Sequence, residues 1–175
     1  MLANVSGLVL CDAHLKIWHL RRNDKHITSP IAHRVKDDIA IKAAVIGITP
    51  DYISTLVDSF YGHIRSHDTL GPIFEQAIGD NWDHHLTQMK AFWTSVALGS
   101  GVYSGKPVPA NHKHRETIQS HHFDMWLSLF RQSLEETAPT SEAIDYFMVP
   151  ANRIAKSLKL ALFGVPGLGA PKYEE

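Results

Sequence analysis

The chain has 175 residues, of which 44% are hydrophobic and 20% are charged, and its formal net charge is −1 at pH 7. This length suits one compact domain, and the balanced charge gives no electrostatic case for nucleic acid or an anionic membrane as a partner. The single cysteine, Cys11, excludes a disulfide within the chain and fits the reducing cytoplasm, where we expect the protein. No apolar run reaches the length needed to cross a bilayer.

The first 43 residues show no sustained hydrophobic period. We therefore predict an N-terminal extension over residues 1–43 that is helical in places and loosely attached. Ser29 and Pro30 indicate a break within it.

The first clear helix begins at Thr49, which can cap it, followed by Pro50 and Asp51 in positions that favour a first turn. Residues 68–72 predict a turn that stops this helix, with Ile73 and Phe74 packed beneath the turn. Apolar residues fall on one predicted face, with steps of three and one, at Ile53, Leu56, Val57, Phe60, Tyr61 and Ile64.

Three further helices are predicted, at about 81–98, 120–137 and 141–163. Glycines at 99 and 101 end the first of these helices. Any regular structure within residues 102–119 should be short or loose. Pro150 should kink or split the last helix, and residues 164–175 are predicted to be a flexible tail. No segment alternates like a strand, so the fold class is all-α.

Three polar-tipped side chains lie on the inward faces of these helices: Tyr61, His85 and Trp126. Burying such groups without a partner is costly, so each needs a hydrogen bond. His85 is either a core histidine bonded to a carbonyl or part of a pocket that needs a hydrogen-bonding group. Taken together, the three residues could converge on a small acceptor ligand.

The chain also contains 12 histidines, well above ordinary usage, and histidine binds metals, moves protons or simply faces solvent. His112 and His114 lie in the irregular stretch between two helices, where histidines are usually solvated. With His121 and His122 they suggest a zinc cluster, but there is no HExxH motif and no cysteine nearby.

Residues 44–163 resemble the group III truncated haemoglobins. The matching pieces follow the family order over about 120 residues, which makes the set specific although each piece is weak. They are Phe60–Tyr61, Leu70–Gly71–Pro72–Ile73–Phe74, Trp82–Asp83–His84–His85–Leu86, Phe92–Trp93, Tyr103–Ser104–Gly105–Lys106–Pro107 and His122–Phe123–Asp124–Met125–Trp126–Leu127.

The resemblance implies a truncated globin fold over residues 44–163, a helical sandwich around haem b. His112 matches the proximal iron ligand, with His114 as the alternative because the spacing from Tyr103 to His112 is one residue longer than usual. Tyr61, His85 and Trp126 match the residues around the gas. The implied haem contacts are Phe60, Phe74, Met89, Trp93 and Phe123.

The resemblance further implies reversible binding of dioxygen, carbon monoxide and nitric oxide. It leaves peroxidase-like or nitric oxide detoxifying chemistry open, which would need an unidentified reductase, and no residue is assigned as catalytic. Two other hypotheses about the function remain: a histidine-dependent non-haem metalloprotein, and a haem-free helical sensor or interaction module.

Overall fold

The computed structural model describes residues 30–100 and 117–164, with the backbone alone for residues 30–36. Within these ranges every regular element is helical, which confirms the all-α fold class. The α-helices are α1 (Pro30–Val45), α2 (Pro50–Ser66), α3 (Leu70–Ile78), α4 (Trp82–Leu98), α5 (Ser120–Thr137) and α6 (Ser141–Phe163), with one 3₁₀ turn (Gly79–Asn81) before α4.

Helix α2 begins as its sequence predicts. The Thr49 side chain accepts a hydrogen bond of 3.1 Å from the backbone N–H of Tyr52, and Pro50 takes the first helical position. Proline is tolerated there because its missing N–H would have no helical partner. The six residues of the predicted apolar face are all buried, so the period identified the face that packs inward.

The predicted turn at residues 68–72 is wrong in extent, because α3 already starts at Leu70 and runs to Ile78. Pro72 falls in the first turn of α3, where it breaks no hydrogen bond. Gly71 lets the new helix start close to the old one, since a Cβ at this position would lie 2.8 Å from the Arg65 carbonyl oxygen. Phe74 consequently projects from a helix and not from beneath a turn.

The remaining helices match their predicted ranges closely. Helix α4 ends at Gly99, whose φ of 64° is the left-handed conformation that favours glycine. Helix α5 covers residues 120–137 as predicted. Helix α6 continues through Pro150 from Ser141 to Phe163, so the proline does not divide it.

Helix α2 lies at the centre of the packing, in contact with α3, α4 and α5, while α6 packs on α5. Helix α1 packs on α4: Ala43 is fully buried, and Ile39 lies against the end of α4 at Gly99. The predicted boundary between residues 43 and 44 falls inside α1. The proposed division into residues 1–43, 44–163 and 164–175 stays a prediction, and residues 1–29 and 165–175 lie outside the described residues.

Within the described ranges, no single helix has both the length and the apolar character to cross a membrane. The bent pair formed by residues 37–45 and 50–66 meets that length and composition only when its two parts are combined.

Two glycines provide a matched test of this packing. Gly47, between α1 and α2, has a φ of 79°, and an added Cβ would lie 2.9 Å from the Pro139 ring. We expect Gly47→Ala to lower the free energy of unfolding by about 1–3 kcal/mol, because it combines backbone strain with a clash. Gly62 is an exposed helical residue with nothing within 4 Å of its added Cβ. Gly62→Ala should therefore raise that free energy by about 0.5–1 kcal/mol. Urea denaturation of both variants checks the prediction, and equal effects would contradict it.

Candidate functional site

The central feature of the site is the contact between Tyr61 of α2 and His85 of α4. Their ring centroids lie 4.8 Å apart at an interplanar angle of 88°, an edge-to-face arrangement. Both side chains are buried, at 5% and 4% exposure. Two of the three inward polar residues are therefore brought into direct contact by the packing of α2 against α4.

His85 is the unusual member of this pair, because neither of its ring nitrogens has a hydrogen-bond partner among the described residues. This excludes the reading in which His85 is a core histidine bonded to a carbonyl of that part of the chain. Burial lowers the pKa of His85 to about 4, with a further contribution from the neighbouring His84. A desolvated imidazole resists protonation, so the ring is neutral near pH 7.

Trp126 of α5 is linked to the pair through Phe60. The Phe60 ring lies 5.0 Å from Tyr61 and 5.3 Å from Trp126, edge-on to each. The Trp126 ring is partly buried and stacks on Phe130 at 5.5 Å. Thus Trp126 lies one aromatic ring away from Tyr61, on the neighbouring helix.

Trp82 belongs to the same cluster, although the sequence analysis assigned it no role in the site. Its ring centroid lies 6.1 Å from that of Tyr61 and 5.9 Å from that of His85, edge-on to both. The signal that could have found it is its position three residues before His85, on the same face of α4.

The fold places the residues expected to contact haem at different depths and at different distances from Tyr61 and His85. Phe74 lies beside the pair, 6.2 Å from the Tyr61 ring, and the buried Met89 follows His85 by one helical turn. Phe123 is buried near the start of α5. Trp93 lies deeper in the helical core, stacked on Phe130 at 4.8 Å.

The two candidates for the proximal ligand, His112 and His114, lie outside the described residues, so their assignment stays a prediction. Residues 30–100 and 117–164 contain no group of three histidine, cysteine, aspartate or glutamate side chains that could hold a metal ion by themselves.

Comparison with known proteins adds a family to this geometry. A sequence model described as bacterial-like globin matches residues 44–159. The group 3 truncated hemoglobin ctb of Campylobacter jejuni is 36% identical over 90 residues, which are 50% of this chain and 70% of that protein. A crystal structure of group III truncated hemoglobin from Campylobacter jejuni superposes with a TM-score of 0.58 and 31% identity, over 66% of this chain and 92% of that one.

The chain therefore belongs to the bacterial-like globin family, and the resemblance to group III truncated haemoglobins is confirmed. Globins are haem proteins, and haem-based gas binding is the general function that this membership supports. Family membership favours the hypothesis of a haem protein over the hypotheses of a non-haem metalloprotein and of a haem-free module.

The chemistry of Tyr61 and His85 is compatible with a haem protein that binds a small polar ligand. Buried polar atoms are normally hydrogen-bonded, and the two unpaired nitrogens of His85 are an exception that a small polar ligand would remove. The rings of Phe60, Phe74 and Trp82 pack edge-on against Tyr61, so the polar pair lies among aromatic side chains of the kind that line cofactor sites.

The low pKa of His85 gives a testable pH dependence. Below about pH 6.5 the unfolded chain binds this proton, whereas the folded protein binds it only near the folded-state pKa of about 4. The free energy of unfolding should therefore fall as the pH drops through this window, by about 3 kcal/mol from His85 alone. An NMR titration of the His85 ring measures the pKa directly. A midpoint near 6.5 would contradict the prediction, and His84, on the exposed face of α4, is the internal control.

Proposed function

We propose that this protein binds dioxygen and other diatomic gases reversibly at haem b, with Tyr61, His85 and Trp126 around the gas and His112 as the protein ligand of the iron. The observation that carries the proposal is the buried contact between Tyr61 and the unpaired imidazole of His85. Membership of the globin family implies that the protein binds haem. Tyr61 and His85 place polar groups in a core that is otherwise largely apolar.

Haem would supply an iron atom that can bind a diatomic gas. The side chains of this protein set how firmly the gas is held. The phenolic O–H of Tyr61 and the indole N–H of Trp126 are hydrogen-bond donors, which suit an acceptor ligand such as dioxygen. In a site closed to water, each such hydrogen bond stabilises the bound gas by roughly 1.5–3 kcal/mol.

His85 complements these donors in a different way. As a neutral ring it carries one N–H donor and one acceptor nitrogen, so it can donate a hydrogen bond to a gas or accept one from a ligand that carries a proton, such as hydrogen peroxide. This second ability favours one extension of the proposal, in which the pocket polarises a peroxide or supports nitric oxide oxidation. That chemistry requires electrons from a reductase.

His112 is proposed as the protein ligand of the iron because it matches the family's proximal histidine. Neutral imidazole is the usual protein ligand of globin iron. Its second ring nitrogen should donate to a carbonyl oxygen, which fixes the ring orientation. His114 is the alternative ligand.

Replacement of Tyr61 by Phe tests the gas side. We expect Tyr61→Phe to increase the dioxygen dissociation rate roughly tenfold to a hundredfold, because one hydrogen bond to a charged acceptor is lost. Stopped-flow displacement by carbon monoxide measures the rate. Tyr146→Phe is the matched control, since the Tyr146 hydroxyl donates to the Ala97 carbonyl oxygen at 2.7 Å, away from the pair. An unchanged rate in Tyr61→Phe would overturn this assignment.

Replacement of His112 and of His114 in separate variants tests the iron ligand. We expect His112→Gly to lose the native absorption spectrum of the reduced carbon monoxide form and to recover it when imidazole is added. His114→Gly should keep the native spectrum without imidazole. The opposite pattern would transfer the assignment to His114.

A further inference from the structure

Within the described residues, the orientation of His85 is set by packing and not by hydrogen bonds. Its nitrogens have no hydrogen-bond partners there, and its ring packs edge-on against Tyr61 and Trp82 at 88° and 89°. A side chain without hydrogen bonds is free to change rotamer unless its packing neighbours are fixed. The rotamer of the His85 side chain therefore depends on the contacts that fix the Trp82 ring.

Trp82 is held by two charged side chains from two other helices. Its indole N–H donates to Oε2 of Glu75, on α3, at 2.7 Å. The guanidinium carbon of Arg65, near the end of α2, lies 4.8 Å from the centroid of the indole ring. A hydrogen bond to a carboxylate and a cation over a tryptophan face are each stronger than the corresponding neutral contact.

Arg65, Glu75 and Trp82 lie between the solvent and the buried pair of Tyr61 and His85. Arg65 and Glu75 are exposed, whereas Trp82 is 8% exposed and His85 is 4% exposed. Trp82 also occupies the first position of α4, so its hydrogen bond ties the beginning of that helix to α3. Movement of the indole would open the side of His85 that Trp82 covers.

We propose that the hydrogen bond between Glu75 and Trp82 is a latch that keeps His85 in the gas pocket, which makes Trp82 and Glu75 positioning residues for ligand access. The latch rests on the proposed gas-binding function and extends it to residues that do not touch the gas. When the hydrogen bond is absent, the indole shifts, His85 turns outward, and the pocket becomes more accessible to an incoming ligand.

The test uses the haem-loaded protein and carbon monoxide as the probe. Association rates after flash photolysis are compared for the wild type, Glu75→Ala and Glu75→Gln. We expect Glu75→Ala to bind carbon monoxide about threefold to tenfold faster, the size expected for partial loss of one charge-assisted hydrogen bond. Glu75→Gln retains an acceptor oxygen and should restore a rate near that of the wild type.

A matched control distinguishes the latch from general weakening of the surface. Asp58→Ala removes a carboxylate that accepts from Lys90 Nζ, also at 2.7 Å, and also joins two helices, α2 and α4. Its association rate should equal that of the wild type. In a His85→Ala background, Glu75→Ala should cause no further increase, because the side chain that the latch restrains is gone.

Two readouts follow His85 itself. In Glu75→Ala, the infrared C–O stretching band should split or shift as polar side chains move relative to the ligand. Diethyl pyrocarbonate should modify His85 faster in this variant, as measured by peptide mass spectrometry.

A wild-type rate in Glu75→Ala, or an equal acceleration with His85 absent, would overturn the latch while leaving gas binding intact. Failure of the wild-type protein to bind carbon monoxide would overturn both proposals.

Discussion

The burial of α2 on more than one side is the constraint on which the rest of the structure depends. Phe60 and Tyr61 are consecutive, and successive residues of an α-helix point about 100° apart. Phe60 therefore meets Trp126 and Phe130 of α5, while Tyr61 meets His85 and Trp82 of α4. One dipeptide joins the aromatic core to the polar pair, so the geometry of the pair is fixed by the packing of three helices.

The free-energy cost of burying polar groups explains why the pair of Tyr61 and His85 suggests a ligand-binding function. Within the described residues, the two imidazole nitrogens of His85 are unpaired in an otherwise aromatic cluster, and such burial costs free energy. That cost keeps the ring neutral, and it makes the pocket complementary to a small polar ligand and not to another hydrocarbon side chain. The same lack of hydrogen bonds leaves His85 dependent on Trp82, which in turn is held by exposed charges at the surface.

Much of the fold could be predicted because its signals are local. The cap at Thr49, the apolar period of α2 and the glycine after α4 each depend on residues within a few positions. The start of α3 was missed because Gly71 and Pro72 resemble a turn. The first turn of a helix tolerates Pro72, and the close approach to the Arg65 carbonyl oxygen explains the glycine at position 71. Trp82 was missed as a site residue because an apolar stripe does not distinguish a pocket wall from core.

By itself, the sequence determined that the chain is all-α and that Tyr61, His85 and Trp126 face inward, and its resemblance to a family implied haem and predicted His112 as the iron ligand. Helical periodicity shows which side of a helix is buried, but it does not show which residue of another helix lies opposite. Tertiary packing alone decided that Tyr61 touches His85, that Trp126 lies beyond Phe60, and that Glu75 holds Trp82. These contacts join residues from different helices, and their geometry follows from how the helices pack together.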